Sequence, residues 1–115
     1  MDPEVSKVPG ELPLERMGEC RDYHKKNVGH SKKEATRLGT TVFFSEFGAC
    51  GENESCYEEI KNSCDAFDEY GVSWTYWMLK GFGDHTTHSG IVEGIYNDAA
   101  ELQKGKVRVL SRTYF

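Results

Sequence analysis

From Leu14 onward, Met17, Cys20, His24, Val28, Ala35 and Leu38 recur at intervals of three and four, skipping only Ser31. That spacing places them on one face and predicts a helix over residues 14–38, loosened locally by Gly29 and ended by Gly39. The period then changes. Residues 40–48, TTVFFSEFG, are β-branched and aromatic and few in number, which predicts a buried strand. Helical spacing returns over residues 53–70, with Cys56, Ile60, Cys64 and Phe67 on one side, Glu and Lys on the other, and Asn53 or Ser55 available as cap. After Gly71 the run VSWTYWMLK predicts a second strand over 72–79. A loop over 80–96, containing GFGDHTTHSG, leads to a last helix over 101–115 with Val107, Leu110 and Tyr114 on one face. Residues 1–13 hold all three prolines and read as an irregular lead-in.

The two strands are apolar on both faces, a pattern that belongs to parallel sheets covered on both sides. Joined through a helix, they form a βαβ unit, and the fold class is α/β. Two strands alone leave both sheet edges open, so the unit is expected to be part of a larger sheet. Within the second strand, alternation turns Trp74 and Tyr76 towards the outer helices and Ser73, Thr75 and Trp77 to the opposite face.

Composition narrows the function classes. The chain has 115 residues, whereas a complete eight-fold βα barrel needs about 250. Nineteen acidic against fourteen basic residues give a net charge of −5, and no basic run could track a phosphate backbone, so nucleic acid is excluded as a partner. MDPEVSKVPGELPLER has no signal-peptide h-region, and no apolar run approaches the roughly 18 residues of a transmembrane segment. Cys20, Cys50, Cys56 and Cys64 make an even count that suits an oxidising compartment and a secreted or lumenal parent, with three pairings open. Because only GENES separates Cys50 from Cys56, that bridge is the first expectation and Cys20 to Cys64 the second. Two residues separate His85 from His88, but the chain has no CxxC pair and its cysteine spacings match no common zinc pattern. Neither metal nor cofactor is expected.

The chemistry centres on Glu46. It sits near the C-terminal end of an apolar strand, flanked by Phe44, Phe47 and Gly48, so its carboxylate would emerge at the mouth of a parallel sheet. In barrel enzymes that rim carries the catalytic groups, and an acid within an apolar strand is costly unless solvated, paired or used. The alternative is a structural carboxylate bonded to a neighbouring loop. Trp77, near the end of the next strand, offers the kind of aromatic face that suits the C–H faces of sugars, although a single strand tryptophan is more often core. Glu52, Glu54, Glu58 and Glu59 read as a solvated face, and Glu93 as either a loop-fastening carboxylate or a rim contact.

FFSEFGAC, SWTYWMLKGFGD, Thr86 and Thr87, EGIYND and KVRVLSRTYF together resemble the C-terminal barrel segment of glycoside hydrolase family 5, nearest to its endoglycoceramidase-like members. The likeness covers about the last 75 residues well and the first helix more loosely. It implies a C-terminal fragment of a (β/α)8 TIM barrel, running from about the sixth helix to the eighth. FFSEFG would be the seventh strand with Glu46 as nucleophile. SWTYW would be the eighth, with Trp77 as sugar-stacking tryptophan and Lys80 and Asp84 as substrate contacts just beyond. The family resemblance also implies an acid/base from an Asn-Glu pair on the fourth strand, and no segment upstream of Glu46 supplies one. A retaining glycosidase needs two carboxyl groups about 5 to 5.5 Å apart, and only the first has a candidate here. The expected substrate is a β-linked glycan or glycolipid, with the rest of the barrel missing. The competing expectation is a non-catalytic, disulfide-stapled carbohydrate-binding or structural domain in which Glu46 and Trp77 merely pack.

Overall fold

The computed structural model describes residues 13–48, 50, 53–78, 91–93 and 101–111. A 3-10 turn, Leu14–Arg16, leads into helix α1, Met17–Arg37. Strand β1 is Phe43–Phe44, helix α2 Glu54–Tyr70, strand β2 Ser73–Trp74, strand β3 Val92–Glu93, strand β4 Glu101–Leu102, and helix α3 Lys104–Ser111. β1 and β2 pair in parallel, so the helix between them closes the expected βαβ unit. β3 and β4 form a separate antiparallel pair. The expected loop over 80–96 therefore contains a short strand. The last helix begins at Lys104 rather than residue 101, because the backbone of 101–102 is taken up in pairing with β3.

The helix boundaries follow from local chemistry. The Asn53 side chain accepts a hydrogen bond from the Cys56 backbone N–H at 2.8 Å, satisfying one of the donors left over at the start of α2. Gly71 closes α2 in the left-handed conformation, φ 61°, and Gly39 takes up φ 71° just past α1. Gly29 does not interrupt α1. It is a packing glycine, since a Cβ there would lie 2.7 Å from the Tyr70 ring of α2.

α2 packs against α1 on one side and α3 on the other, and all three cover the same face of the β1–β2 pair. Its predicted face, Cys56, Ile60, Cys64 and Phe67, is buried throughout. Towards α1, Val28, Ala66, Phe67 and Val72 are joined by Val42, Phe44, Tyr70 and Trp74. Towards α3, Cys56, Ile60, Cys64 and Leu110 are joined by Cys50, Tyr76, Ile91 and Val109. Phe47 and Trp74 belong to both clusters and join them. On α1, Met17, Val28 and Ala35 are buried as the spacing predicts, while Leu38, the residue that caps its end, is exposed. On α3 the buried pair is Lys106 and Leu110, one turn apart, with Val107 half-buried; Tyr114 lies outside the described residues.

The disulfide expectation divides. Cys50 and Cys56 are bonded across a Cα separation of 5.5 Å. Cys20 keeps its thiol, so the bridge from Cys20 to Cys64 does not form. Cys20 faces Glu59 on the outer surface of α2, whereas Cys64 packs inward with Ile60 and Leu110. Cys64 lies five positions beyond Glu59, about 140° around a helix of 3.6 residues per turn.

Candidate active site

The face of the β1–β2 pair opposite the helices carries the candidate chemistry. Along β2 and its extension the accessibility alternates: Trp74 and Tyr76 are half-buried under the helices, and Ser73, Thr75 and Trp77 are exposed on the other face, as the period predicts. Trp74 packs on Phe47 and Phe67, with ring centroids at 5.0 and 6.4 Å, and Tyr76 on Phe47 at 5.3 Å. Trp77 retains 44% of its surface, and Phe43 on the same face retains 56%. Neither is core.

β1 does not alternate simply. Phe43 faces Ser73 and Phe44 faces Trp74, an offset of 30, but Gly48 faces Trp77, an offset of 29. The hydrogen bonds show the same step: the Thr75 N–H donates to the Phe44 carbonyl at 3.0 Å, and the Trp77 N–H to the Phe47 carbonyl at 2.9 Å. Between matched pairs, β1 thus holds one residue more than its partner, a β-bulge. Its consequence is visible in the side chains. Phe44 and Phe47, three apart, both point under the helices, and Ser45 and Glu46 between them are both exposed. Strict alternation from Val42 and Phe44 would have turned Glu46 into the aromatic layer. The Ser45 carbonyl at the bulge accepts a hydrogen bond from the Thr75 hydroxyl at 2.7 Å, fastening it to β2.

Gly48 ends the bulge at φ 129°, where a Cβ would sit 2.5 Å from the Trp77 carbonyl oxygen and 2.6 Å from the Tyr76 ring. Its importance escaped the sequence reading, although a glycine inside a strand pattern is the usual signal of a bulge. Two residues on, the Cys50–Cys56 bridge ties the end of β1 to the first turn of α2. Lys80, Asp84, Thr86, Thr87, His85 and His88 lie outside the described residues. Among the described residues no three His, Cys, Asp or Glu side chains could hold a metal ion.

A second polar cluster lies away from this face. Glu59, expected on a solvated face, instead contacts His24 across the α1–α2 seam, and together with Glu19, Cys20 and Tyr23 they line a shallow cleft of about 360 Å³. Burial, followed by the negative charge of Glu59, pushes the Cys20 thiol above its ordinary range. Arg16 pairs with Glu19 at 2.9 Å, which lowers the Glu19 carboxyl and raises the guanidinium. A cleft of about 430 Å³, lined by Trp74, Thr75, Tyr76, Ile91, Val107 and Leu110, opens beside β2 towards α3 and not over Glu46.

The profile of the family described as Cellulase (glycosyl hydrolase family 5) matches residues 12–83, more than half of the chain. The chain belongs to glycosyl hydrolase family 5. The match takes in α1, β1, α2 and β2, and it ends before EGIYND and KVRVLSRTYF. The endoglycoceramidase-like part of the resemblance is not part of what it shows. The solved structure of the cellulose synthase subunit Z (CcsZ) from Clostridioides difficile is similar in fold, with a TM-score of 0.59 at 23% identity over 90% of this chain. The family 5 chain described here spans 31% of the length of that structure. No curated protein sequence matches it. In the setting of this family, the parallel pair with its helices is consistent with a partial α/β unit of a glycoside hydrolase.

Proposed function

We propose that this chain supplies the nucleophile side of a retaining glycosidase site, with Glu46 attacking the anomeric carbon and Trp77 as the sugar platform. One observation carries the reading: in a family 5 chain, Glu46 and Trp77 emerge exposed on the face of the sheet opposite the described helices, at the C-terminal ends of two adjacent parallel strands. A tryptophan that merely packs would be covered, so the exposure of Trp77 favours the catalytic reading over the disulfide-stapled alternative, whereas a glutamate is exposed in either case. Attack by Glu46 would form a covalent glycosyl-enzyme, which water then hydrolyses with the help of a second carboxyl group acting first as acid and then as base. Among the described residues the element before β1 is the helix α1, and the proposal draws that second group from strands outside this unit.

The proposed substrate is a β-linked glycan, for which the family's cellulase name speaks, or a glycolipid, for which the endoglycoceramidase-like motifs speak. Lys80 and Asp84 are the proposed further substrate contacts. The Cys50–Cys56 bridge supports a secreted or lumenal setting, and no described helix is long and apolar enough to cross a membrane.

By itself the chain is expected not to hydrolyse glycosides, because general acid catalysis contributes about 10²- to 10⁴-fold and orientation of the reacting groups at least as much. The test is to place residues 40–79 in a family 5 barrel that supplies the acid. Activity should vanish on Glu46→Gly and return with azide, which takes the place of the lost carboxylate and yields a glycosyl azide of inverted configuration. Undiminished hydrolysis by the Glu46→Gly protein would remove Glu46 from the mechanism.

A further inference from the structure

We propose that Gly48 is a positioning residue for the Glu46 carboxylate: its side-chain-free backbone closes the one-residue bulge that delivers Glu46 to the exposed face. The inference rests on the reading of Glu46 as nucleophile and adds what holds it in place.

Three observations converge. First, the register offset falls from 30 at Phe44 to 29 at Gly48, so the extra residue lies between those two positions. Second, Phe44 and Phe47 both anchor in the layer beneath the helices, packing on Phe67 with centroids at 5.0 and 5.1 Å. A segment pinned at both ends on one face must expel what lies between, and Ser45 and Glu46 are the residues expelled. Third, Gly48 seats β1 directly on the backbone of Trp77 and the ring of Tyr76, at φ 129°, where a side chain has no room. A Cβ there meets a backbone oxygen at 2.5 Å, which cannot swing aside as the tip of a side chain can.

The geometry therefore couples two features of the proposed site. The bond from the Trp77 N–H to the Phe47 carbonyl and the bridge of Gly48 to Trp77 hold the residue after Glu46 against the strand end that carries the sugar platform. Forcing β1 away from Trp77 at Gly48 opens that bond first. The Thr75 to Phe44 bond lies on the other side of the bulge and is spared. Glu46 then loses its downstream anchor, although its own side chain is untouched.

The experiment compares amide hydrogen exchange in the unsubstituted chain, Gly48→Ala and Gly39→Ala. Gly39 also has a positive φ, 71°, with nothing within 4 Å of an added Cβ, so it serves as a positive-φ substitution without the clash. Global destabilisation speeds exchange at Thr75 and Trp77 by a common factor, whereas local opening acts on one. In Gly48→Ala, exchange at Trp77 should rise by about tenfold or more relative to Thr75. In Gly39→Ala that ratio should stay as in the unsubstituted chain. An unchanged ratio in Gly48→Ala overturns the assignment. Should Gly48→Ala not fold, the unsubstituted chain still decides: the Glu46 side-chain protons should show no nuclear Overhauser contact with the Phe67 or Trp74 rings, while the Phe47 ring does. A Glu46 contact with those rings would refute the bulge. These readouts do not depend on what Glu46 does, so their failure leaves the nucleophile reading to azide rescue, and failure of the rescue leaves the register intact.

Discussion

The two tryptophans of β2 and its extension give a sharp test of which face of the sheet is the site. Trp74 bridges both core clusters, stacks on Phe67 and meets Phe47 edge-to-face at 5.0 Å. Truncating a fully buried tryptophan to alanine costs about 3–5 kcal/mol. Trp74 is half-buried, so Trp74→Ala should cost about 2–3 kcal/mol, of which its ring pairs account for about 0.5–1.5 kcal/mol each. At about 4–8 °C per kcal/mol for a domain near this size, the melting temperature should fall by about 10–20 °C. Trp77 is 44% exposed, and its described anchor to β1 is its backbone N–H on the Phe47 carbonyl, which alanine keeps. Trp77→Ala should therefore lie within about 1 kcal/mol of the unsubstituted chain. Thermal unfolding followed by far-ultraviolet circular dichroism, with reversibility checked by rescanning, measures both. In a barrel that completes the site, Trp77→Ala should weaken glycan binding and Trp74→Ala should not. Equal loss of stability from the two changes would make Trp77 a core residue and refute the face assignment.

Three further outcomes are expected. Cys56→Ser should lower stability by about 2 kcal/mol, the chain-entropy value for a loop this short, read from urea midpoints with and without reductant; peptide mapping that pairs Cys50 elsewhere would refute the bridge. Asn53→Ala removes the acceptor of the Cys56 N–H and should cost about 1 kcal/mol, with Asn53→Asp keeping most of it; no difference between the two substitutions would mean the cap bond contributes nothing. Cys20 should reach half its maximal alkylation rate above the ordinary thiol range of about 8.5, since burial and the Glu59 charge both disfavour its thiolate. A folded-state pKa raised in this way contributes stability that is complete below the unfolded thiol pKa and is lost as pH rises through the folded value. Glu59→Gln should move the alkylation midpoint down, and an unmoved midpoint would show that Glu59 plays no part.

Local order was legible in the residues themselves. The three-and-four spacing of Cys56, Ile60, Cys64 and Phe67 marked the buried face of α2, because a helix repeats its direction every 3.6 residues whatever lies opposite. Asn53 and Gly71 marked its ends for equally local reasons, an orphan N–H to satisfy and a left-handed turn to make. The apolar runs around Phe44 and Trp74 called for a parallel pair joined through a helix, and the short GENES run called for its bridge. The family resemblance was readable from motifs, and with it the expectation that Glu46 and Trp77 stand near strand ends.

What stayed illegible depends on a second segment coming close. Gly29 looked like a flaw in α1 until Tyr70 of α2 supplied a ring that needs its empty space. Cys20 and Cys64 looked like partners by count, yet Cys20 on α1 meets Glu59, and the turn of α2 between Glu59 and Cys64 carries Cys64 inward. The pairing of Val92–Glu93 with Glu101–Leu102 is a contact across eight or more residues, which no local period announces. The side on which Glu46 emerges is of the same kind. A strand's own alternation sent it under the helices, and only the register imposed by Trp77 through Gly48 turned it out, because the register of a strand is a property of the pair and not of either sequence alone.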